Sequence, residues 1–297
     1  MSIRRGPVRR TIREKVKSSP LARAAALPMR TRQVGRANAL LLKNSVRWLA
    51  HSREHSNFTY DLTEANREHL AWFVAHVAGV KVGEVRGYIA EIEGDEVLRI
   101  HIRAHTMTSS QRGLADLRAR YGRRIGWYAL ARAVRPEHIV ESGTDKGLGS
   151  CVLAAALLRN GMGKLTTLDI NPAAGYLIGP PYSDVTNIVI ADSVESLSRL
   201  DQPVDMFIHD SDHSPEHEAA EFRAIDTKLA LTSWVISDNS HVTTELAKWA
   251  EAQGREFLFF DERPAGHWYP GGGIGLALPL PGAKAPGSGA TGSFVLR

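Results

Sequence analysis

The stretch from His138 to Leu158 constrains the fold more than any other part of the chain. It consists of a short apolar strand, an acid at position 141, a turn with glycines at 143, 147 and 149, and an apolar helix. Glycines let backbone N–H groups come close to a ligand, and the start of a helix adds the positive end of its dipole. The glycine spacing differs from G-x-G-x-x-G. The stretch therefore predicts the opening unit of a nucleotide-binding α/β domain.

Strands and helices alternate from this point onward. The predicted strands are His138–Glu141, Lys164–Asp169, Asn187–Ala191, Val204–His209, Ser233–Ser237 and Phe257–Phe260, with Ile274–Leu278 as a further candidate. The predicted helices cover residues 149–160, 193–199, 215–229 and 242–253. Such alternation predicts a mostly parallel sheet with helices on both faces and with ligands at the carboxyl ends of the strands.

The chain before the glycine turn has a helical pattern. Apolar residues recur at helical spacing from Leu70 to Val77, and shorter helices are predicted near 85–92 and 97–100. Another helix is predicted over about 114–134. We expect these domains in order: a basic disordered leader over 1–36, a helical unit over 37–113, the α/β domain over 114–278 and a flexible Gly/Pro-rich tail over 279–297. The helical unit is either a packing cap or part of an acceptor pocket or dimer surface.

Positive charge is concentrated at the start of the chain. Residues 1–36 hold eleven Lys or Arg and one acid, whereas the whole chain has a formal charge of +5, so the rest is mildly acidic. The leader is expected to be disordered, and weak contact with nucleic acid or anionic lipid is the alternative. The single cysteine, Cys151, allows no internal disulfide. Since no stretch reaches the roughly 20 apolar residues of a membrane span, we expect a cytoplasmic protein, with peripheral membrane association and a homo-oligomer left open.

Polar residues stand at the end of, or directly after, each of the first five predicted strands. They are Glu141, Asp169, the pair Asp192-Ser193, the run Asp210–His213 and the pair Asp238-Asn239. An acid in the position of Asp169 can accept hydrogen bonds from both hydroxyls of a ribose. Any one of these residues could be an ordinary cap or turn residue. Five sets at successive strand ends indicate a ligand site instead.

Residues 116–278 resemble the class I S-adenosylmethionine-dependent methyltransferases. Glu141-x-Gly143-x-x-x-Gly147 looks like their first motif, Asp169 like the ribose-binding acid and Asp192 like the residue beside adenine. Within the class, Phe207–Ser214 and Ile236–Asn239 look like the metal-assisted O-methyltransferases of the catechol and macrocin types. The resemblance implies a Rossmann-like seven-stranded sheet after a small helical unit. We expect methyl transfer to a hydroxyl of a sugar, glycan or other polyhydroxylated small molecule, although the resemblance itself does not identify the acceptor.

The same resemblance implies a set of site residues. The residues that would bind S-adenosylmethionine are Glu141, Gly143, Thr144, Gly147, Ser150, Asp169, Asp192, Ser193 and Asp210. Asp210, Asp238 and Asn239 are implied as ligands of Mg²⁺, which would lower the pKa of the acceptor hydroxyl. Asp210 and His213 are the expected catalytic residues. His213 is the best-placed general base, and His241 is second.

Three other readings compete with this one. His213-Ser214-Pro215-Glu216-His217 matches an inverted zinc-protease pattern, but Pro215 fits best at the first helical position, which would leave His213 outside the helix. A Rossmann-type NAD-dependent oxidoreductase would explain the glycines and Asp169 but not Asp210 with Asp238-Asn239. A non-catalytic adaptor with a basic nucleic-acid- or membrane-binding tail is the third reading.

Overall fold

The computed structural model describes residues 20–54, 58–280 and 282, and its contacts divide the chain into two compact units. The smaller unit combines the long helix α1 (Pro20–His51) with residues 266–268. Within this unit, the Asn44 side-chain amide donates to the His267 carbonyl oxygen at 3.2 Å. The Trp48 ring makes an edge contact with the Trp268 ring.

Helix α1 corrects the expectation of a disordered leader over residues 20–36, where the chain is helical. Ala, Leu and Arg are strong helix formers, and they dominate this stretch despite its charge. Residues 1–19 of the leader, and residues 281 and 283–297 of the predicted flexible tail, lie outside the described residues. None of the described helices combines the length and the apolar composition needed to cross a membrane.

The larger unit is built on a seven-stranded sheet of order β3-β2-β1-β4-β5-β7-β6. Its strands are β1 (His138–Ser142), β2 (Lys164–Asp169), β3 (Thr186–Ile190), β4 (Val204–His209), β5 (Leu229–Asp238), β6 (Phe257–Asp261) and β7 (Gly273–Ala277). Strands β1 to β5 pair in parallel, whereas β7 runs antiparallel to β5 and to β6. The predicted Rossmann-like fold of seven strands with a helical region before it is confirmed.

Helices precede the sheet and connect its strands. They are α2 (Glu64–Ala78), α3 (Val82–Glu93), α4 (Glu96–Thr108), α5 (Arg124–Val134), α6 (Leu148–Asn160), α7 (Ser193–Ser198), α8 (Pro215–Ile225) and α9 (Glu245–Ala252). The prediction of a helix over 114–134 is wrong for 114–123, where the chain forms turns. Gly122 has a positive φ of 54°, which an α-helix does not accommodate, so helix α5 begins only at Arg124.

The core lies on both faces of the sheet because neighbouring strand residues are apolar on alternate sides. Ile139, Met206 and Ile236 belong to the cluster that includes residues of α2 to α6. Their chain neighbours, such as Val140 and Phe207, belong to the cluster with residues of α7, α8 and α9. Helices α2, α3 and α4 therefore share a core with the sheet, and the contacts place residues 53–113 in the same compact unit.

The strand order reverses at β1, which lies between β2 and β4. The chain passes outward to β3 on one side of β1 and returns on the other side at β4. In sheets of this kind the crevice at the carboxyl ends of the strands on either side of the reversal is where ligands bind. Ser142 and His209, the last residues of β1 and β4, are paired in the register, so the residues after them face each other.

Candidate functional site

A cavity of about 610 Å³ opens at the carboxyl ends of β1, β2 and β4. Eight of the residues predicted from sequence line it: Gly143, Thr144, Asp169, Asp192, Ser193, Asp210, His213 and Asn239. These residues come from the ends of five different strands, as the sequence predicts. A concave site with convergent polar groups at a switch point of the sheet is the expected form of a small-molecule site in this fold.

The glycine turn lies directly against the loop after β4. Gly143 has a φ of 89°, and a Cβ atom added to it would lie 2.0 Å from the Asp210 carbonyl oxygen. A side chain at this position would therefore separate the two loops. Gly147 also has a positive φ, of 90°, but a Cβ atom there would meet the Ile178 side chain at 2.8 Å. Gly147 shapes the start of α6 and packs against Ile178.

Glu141 lies behind the cavity wall. Its side chain is buried and accepts hydrogen bonds from Ser150 Oγ at 2.5 Å and from Thr167 Oγ1 at 2.8 Å. Burial raises the pKa of Glu141 to about 7, although these hydrogen bonds oppose the shift. Glu141 and Ser150 thus bind each other beneath the turn, and we keep them as supporting residues of the site.

Asp169 stands at the end of β2 with its carboxylate fixed. One oxygen accepts from the Asp145 N–H and the other from the Asn171 N–H, each at 2.8 Å. Asp192 similarly accepts from the Glu195 N–H at 2.8 Å as the N-cap of α7. Asp192 is therefore a helix cap and a cavity residue at once. Each carboxylate oxygen has a second lone pair, which leaves capacity for a ligand hydroxyl or amino group.

A buried carboxylate that the sequence analysis missed connects the strand ends. Glu221 in α8 is fully buried and accepts hydrogen bonds from Ser142, Ser193, His209, Ser211 and His217. Burial alone would raise its pKa, but the hydrogen bonds from the two histidines hold the pKa of Glu221 well below its usual value. The spacing of His217 and Glu221, four residues apart on one helix, was the available sequence signal.

Asp238 lies at the end of β5 and is paired with an arginine that the sequence analysis also missed. Arg123 donates from Nε to one Asp238 carboxylate oxygen and from Nη2 to the other. The guanidinium lowers the pKa of Asp238 although the carboxylate is buried. Arg124 Nη2 lies 3.3 Å from Asp210 Oδ2. Burial and the nearby charge of Asp238 raise the pKa of Asp210 well above its usual value.

The sequence contains a weak indication that Arg123 and Arg124 need acidic partners. Arg123 and Arg124 stand at the N-terminal end of α5, where the helix dipole disfavours positive charge. Cations at that end need partners elsewhere, which these two find in Asp238 and Asp210. The predicted start of the helix at 114 concealed this signal, because it placed both arginines in the helix interior.

His213 lies between the acids and Asn239. Its Nε2 atom is 3.0 Å from the Asn239 side-chain nitrogen and 3.8 Å from Asp210 Oδ1. Burial lowers the pKa of His213. Pro215 is the first residue of α8, so His213 lies outside the helix and the geometry of an inverted zinc-protease motif is absent here.

Two of the predicted Mg²⁺ ligands, Asp210 and Asp238, are close together, but they do not fit a cation as they are placed. One ligand atom each from Asp210, His213 and Asp238 lies within 4.8 Å of the others. Asn239 Oδ1 is buried and has no hydrogen-bond partner within the described part of the chain. Both oxygens of Asp238, however, are already bound by Arg123. A metal ion could bind Asp238 in the predicted manner only if this guanidinium moved away.

A second, smaller cavity of about 170 Å³ adjoins the first. Its lining residues are Phe58, Tyr60, Arg123, Arg124, Asn239 and Tyr269. Arg124 and Asn239 line both cavities. Tyr269 lines this cavity, whereas its chain neighbour Trp268 packs on Trp48.

Comparison with known proteins relates part of the chain to methyltransferases. Residues 140–240 match a family model described as a methyltransferase domain. No curated protein matches the chain by sequence. The matched residues run from β1 to the pair Asp238-Asn239, so they include every strand end that lines the larger cavity.

Several solved structures are similar to the larger part of the chain. Cofactor-bound Rv0187 from MTB is 16% identical, with 64% of this chain and 93% of that chain covered and a TM-score of 0.46. The O-methyltransferase TomG from Streptomyces achromogenes, in complex with SAM, is 19% identical (63% and 90% covered, TM-score 0.45). SAH-bound methyltransferase PaMTH1 from Podospora anserina is 14% identical (62% and 87% covered, TM-score 0.44). These similarities are too low to indicate a substrate.

The family match over residues 140–240 and the seven-stranded fold together show that the chain carries an S-adenosylmethionine-dependent methyltransferase domain. The chain is therefore an enzyme that transfers a methyl group from S-adenosylmethionine, and the 610 Å³ cavity stands where this fold binds its ligands.

Glu141 gives a testable pH dependence of stability. Its pKa is about 7 in the folded chain, against 4.5 as the ordinary value. Between these pH values the unfolded chain releases the proton and the folded chain keeps it, so the free energy of unfolding falls as pH rises. The wild type therefore loses stability between pH 5 and pH 8. In Glu141→Gln we expect this loss in the free energy of unfolding to be smaller by up to about 3 kcal/mol. Urea unfolding at pH 5 and pH 8 measures it.

The exposed Glu216 provides the control for this experiment. Glu216→Gln should lose as much stability between pH 5 and pH 8 as the wild type. If Glu141→Gln loses that same amount too, Glu141 is ionised in the folded chain at pH 5 and its raised pKa is wrong.

Proposed function

We propose that this chain is an O-methyltransferase whose acceptor is a sugar, a glycan or another polyhydroxylated small molecule. The observation that carries the proposal is the pair of adjoining cavities that share Arg124 and Asn239. One cavity is lined by strand-end acids and the other mainly by aromatic and cationic side chains. A methyl donor and an acceptor must meet in this way for direct transfer.

The donor occupies the larger cavity in this proposal. Asp169 receives the ribose hydroxyls, Asp192 and Ser193 lie on the adenine side, and the turn at Gly143 and Thr144 lies against the amino-acid end. S-Adenosylmethionine supplies a methyl group on a positively charged sulfur, so an enzymic nucleophile is not required. The buried Cys151, whose Sγ lies 3.4 Å from the Leu177 carbonyl oxygen, is consistent with such a reaction.

The acceptor occupies the smaller cavity. Rings such as those of Phe58, Tyr60 and Tyr269 can pack against the apolar face of a sugar ring, and the Arg124 and Asn239 side chains can hydrogen-bond its hydroxyls. A volume of about 170 Å³ favours one ring over an extended chain at this position. The acceptor hydroxyl then points toward His213 across Asn239.

His213 is the proposed general base. It lines the donor cavity and contacts Asn239, which lines both cavities, so it lies close to the place where donor and acceptor would meet. A base at this junction can take the hydroxyl proton as the oxygen attacks the methyl group. Asp210 stands next to His213, with Oδ1 at 3.8 Å from His213 Nε2, and helps to orient it.

The sequence also predicts Mg²⁺, which would be held by Asp210, Asp238 and Asn239 and would lower the pKa of the acceptor hydroxyl. Because Arg123 binds both oxygens of Asp238, we assign no step of the transfer to a metal ion.

The donor site is tested by Asp169→Ala. Losing a carboxylate that accepts from ribose hydroxyls should raise the dissociation constant of S-adenosylmethionine about 10- to 100-fold. Isothermal titration calorimetry measures this directly. The exposed Asp201 gives the control, and Asp201→Ala should bind as the wild type does. If the wild type binds NAD and not S-adenosylmethionine, the proposed function fails.

The base is tested by His213→Ala. We expect the turnover number to fall about 10²- to 10⁴-fold, because proton removal is lost while S-adenosylmethionine still binds. Transfer of a labelled methyl group to a panel of sugars and glycosides first identifies the acceptor, and the same assay gives the rates. His241→Ala, at an exposed histidine of the neighbouring loop, should keep the full rate. Equal rates for His213→Ala and the wild type would exclude His213 as the base.

A further inference from the structure

The Arg123 guanidinium and the Asp238 carboxylate form a two-point ion pair. Arg123 donates through Nε and Nη2, one hydrogen bond to each carboxylate oxygen. Both residues are buried, with 7% of Arg123 and 1% of Asp238 exposed. Arginine matches a carboxylate in this planar arrangement better than any other side chain does.

Arg123 is held in this position from its other side. Its Nη1 atom donates to the Tyr60 hydroxyl at 3.2 Å and lies 3.6 Å from Glu262 Oε2. Tyr60 donates to the same Glu262 oxygen at 3.0 Å, and the Gly272 N–H donates to it at 3.0 Å. The guanidinium is therefore fixed by residues from three separate parts of the chain.

Each carboxyl group of the acid pair already has a guanidinium beside it. Asp238 faces Arg123, and Asp210 faces Arg124 at 3.3 Å. A divalent ion between the two carboxylates would bring a second set of positive charges to the same place. It would also leave the buried Arg123 without its carboxylate partner, which is strongly unfavourable.

We propose that Arg123 takes the place of a metal ion at Asp238, so that this chain carries out its reaction without a divalent cation. Arg123 acts as a positioning residue in this proposal: it holds the Asp238 carboxylate away from metal ligation. Removing the guanidinium should uncover a latent metal site made of Asp210, His213 and Asp238, with the unpartnered Asn239 oxygen beside them. The part that concerns catalysis rests on the proposed function, whereas the part that concerns ion binding does not.

Titration with Mn²⁺, followed by the electron paramagnetic resonance signal of the free ion, tests the proposal on the full chain after chelator treatment. The wild type should leave the signal of about 1 mM Mn²⁺ unchanged. Arg123→Met, which removes the charge and keeps much of the volume, should bind about one Mn²⁺ per chain at least tenfold more tightly than the wild type. Arg120→Met, which removes a nearby arginine paired with Asp116, is the matched control and should bind none.

The double variant Arg123→Met/Asp238→Asn locates the ion and should lose the Mn²⁺ that Arg123→Met gains. Wild-type chain that binds Mn²⁺ and loses it on Asp238→Asn substitution would overturn the proposal. The proposal would also be overturned if Arg123→Met is folded, as shown by cooperative unfolding, and still binds no Mn²⁺. If Arg123→Met does not fold, Arg123→Gln takes its place, because glutamine also removes the charge and can still hydrogen-bond the Tyr60 hydroxyl. Mn²⁺ binding by this variant supports the proposal, and its absence overturns it.

The effect of a chelator on activity tests the catalytic part of the proposal separately. Wild-type methyl transfer should be unchanged by EDTA, and more than a tenfold loss that Mg²⁺ restores would overturn the proposal. Failure of the wild type to bind S-adenosylmethionine would instead refute the proposed function and would leave the result of the Mn²⁺ titration standing.

Discussion

The contact between the turn after β1 and the loop after β4 determines the rest of the site. The Asp210 carbonyl oxygen occupies the space in which a side chain of residue 143 would lie, so only glycine lets the two loops meet. The Asp210 N–H also donates to the Ser142 carbonyl oxygen at 2.9 Å, which continues the pairing of the strands beyond their ends. This contact places the glycine turn, which lines the larger cavity, beside Asp210 and His213, where the acceptor chemistry is proposed.

The carboxylates at and behind the strand ends have different roles, which depend on their hydrogen-bond partners. Glu141 and Glu221 lie behind the cavity and fix the strand ends, one through hydroxyl donors and the other through hydroxyls and histidines. Asp169 has backbone N–H partners only and faces the cavity. Asp238 is committed to Arg123. The residue type alone therefore does not reveal the function of a strand-end acid, because the neighbouring donors decide it.

Most of the sheet could be predicted from the sequence. Buried parallel strands are short apolar runs, and their carboxyl ends converge, so the residues after five strands could be assigned to one site without coordinates. Arg123 and Glu221 could not be found in this way. Arg123 is 115 residues from Asp238 in the chain, and Glu221 is 79 residues from Ser142. Periodicity reports local structure and carries no information on such partners. Residues 20–36 are predicted to be disordered because of their charge and prolines. The structure shows a helix there, in agreement with their high helix propensity.

A crystal structure of the chain grown with S-adenosylhomocysteine and Mg²⁺ tests the central claim most directly. The ribose hydroxyls should lie within hydrogen-bonding distance of the Asp169 carboxylate, with Arg123 still bound to both oxygens of Asp238 and no ion between Asp210 and Asp238. A ligand bound outside the cavity would contradict the assigned donor site. An ion on Asp238 with the Arg123 guanidinium displaced would contradict the role given to that arginine.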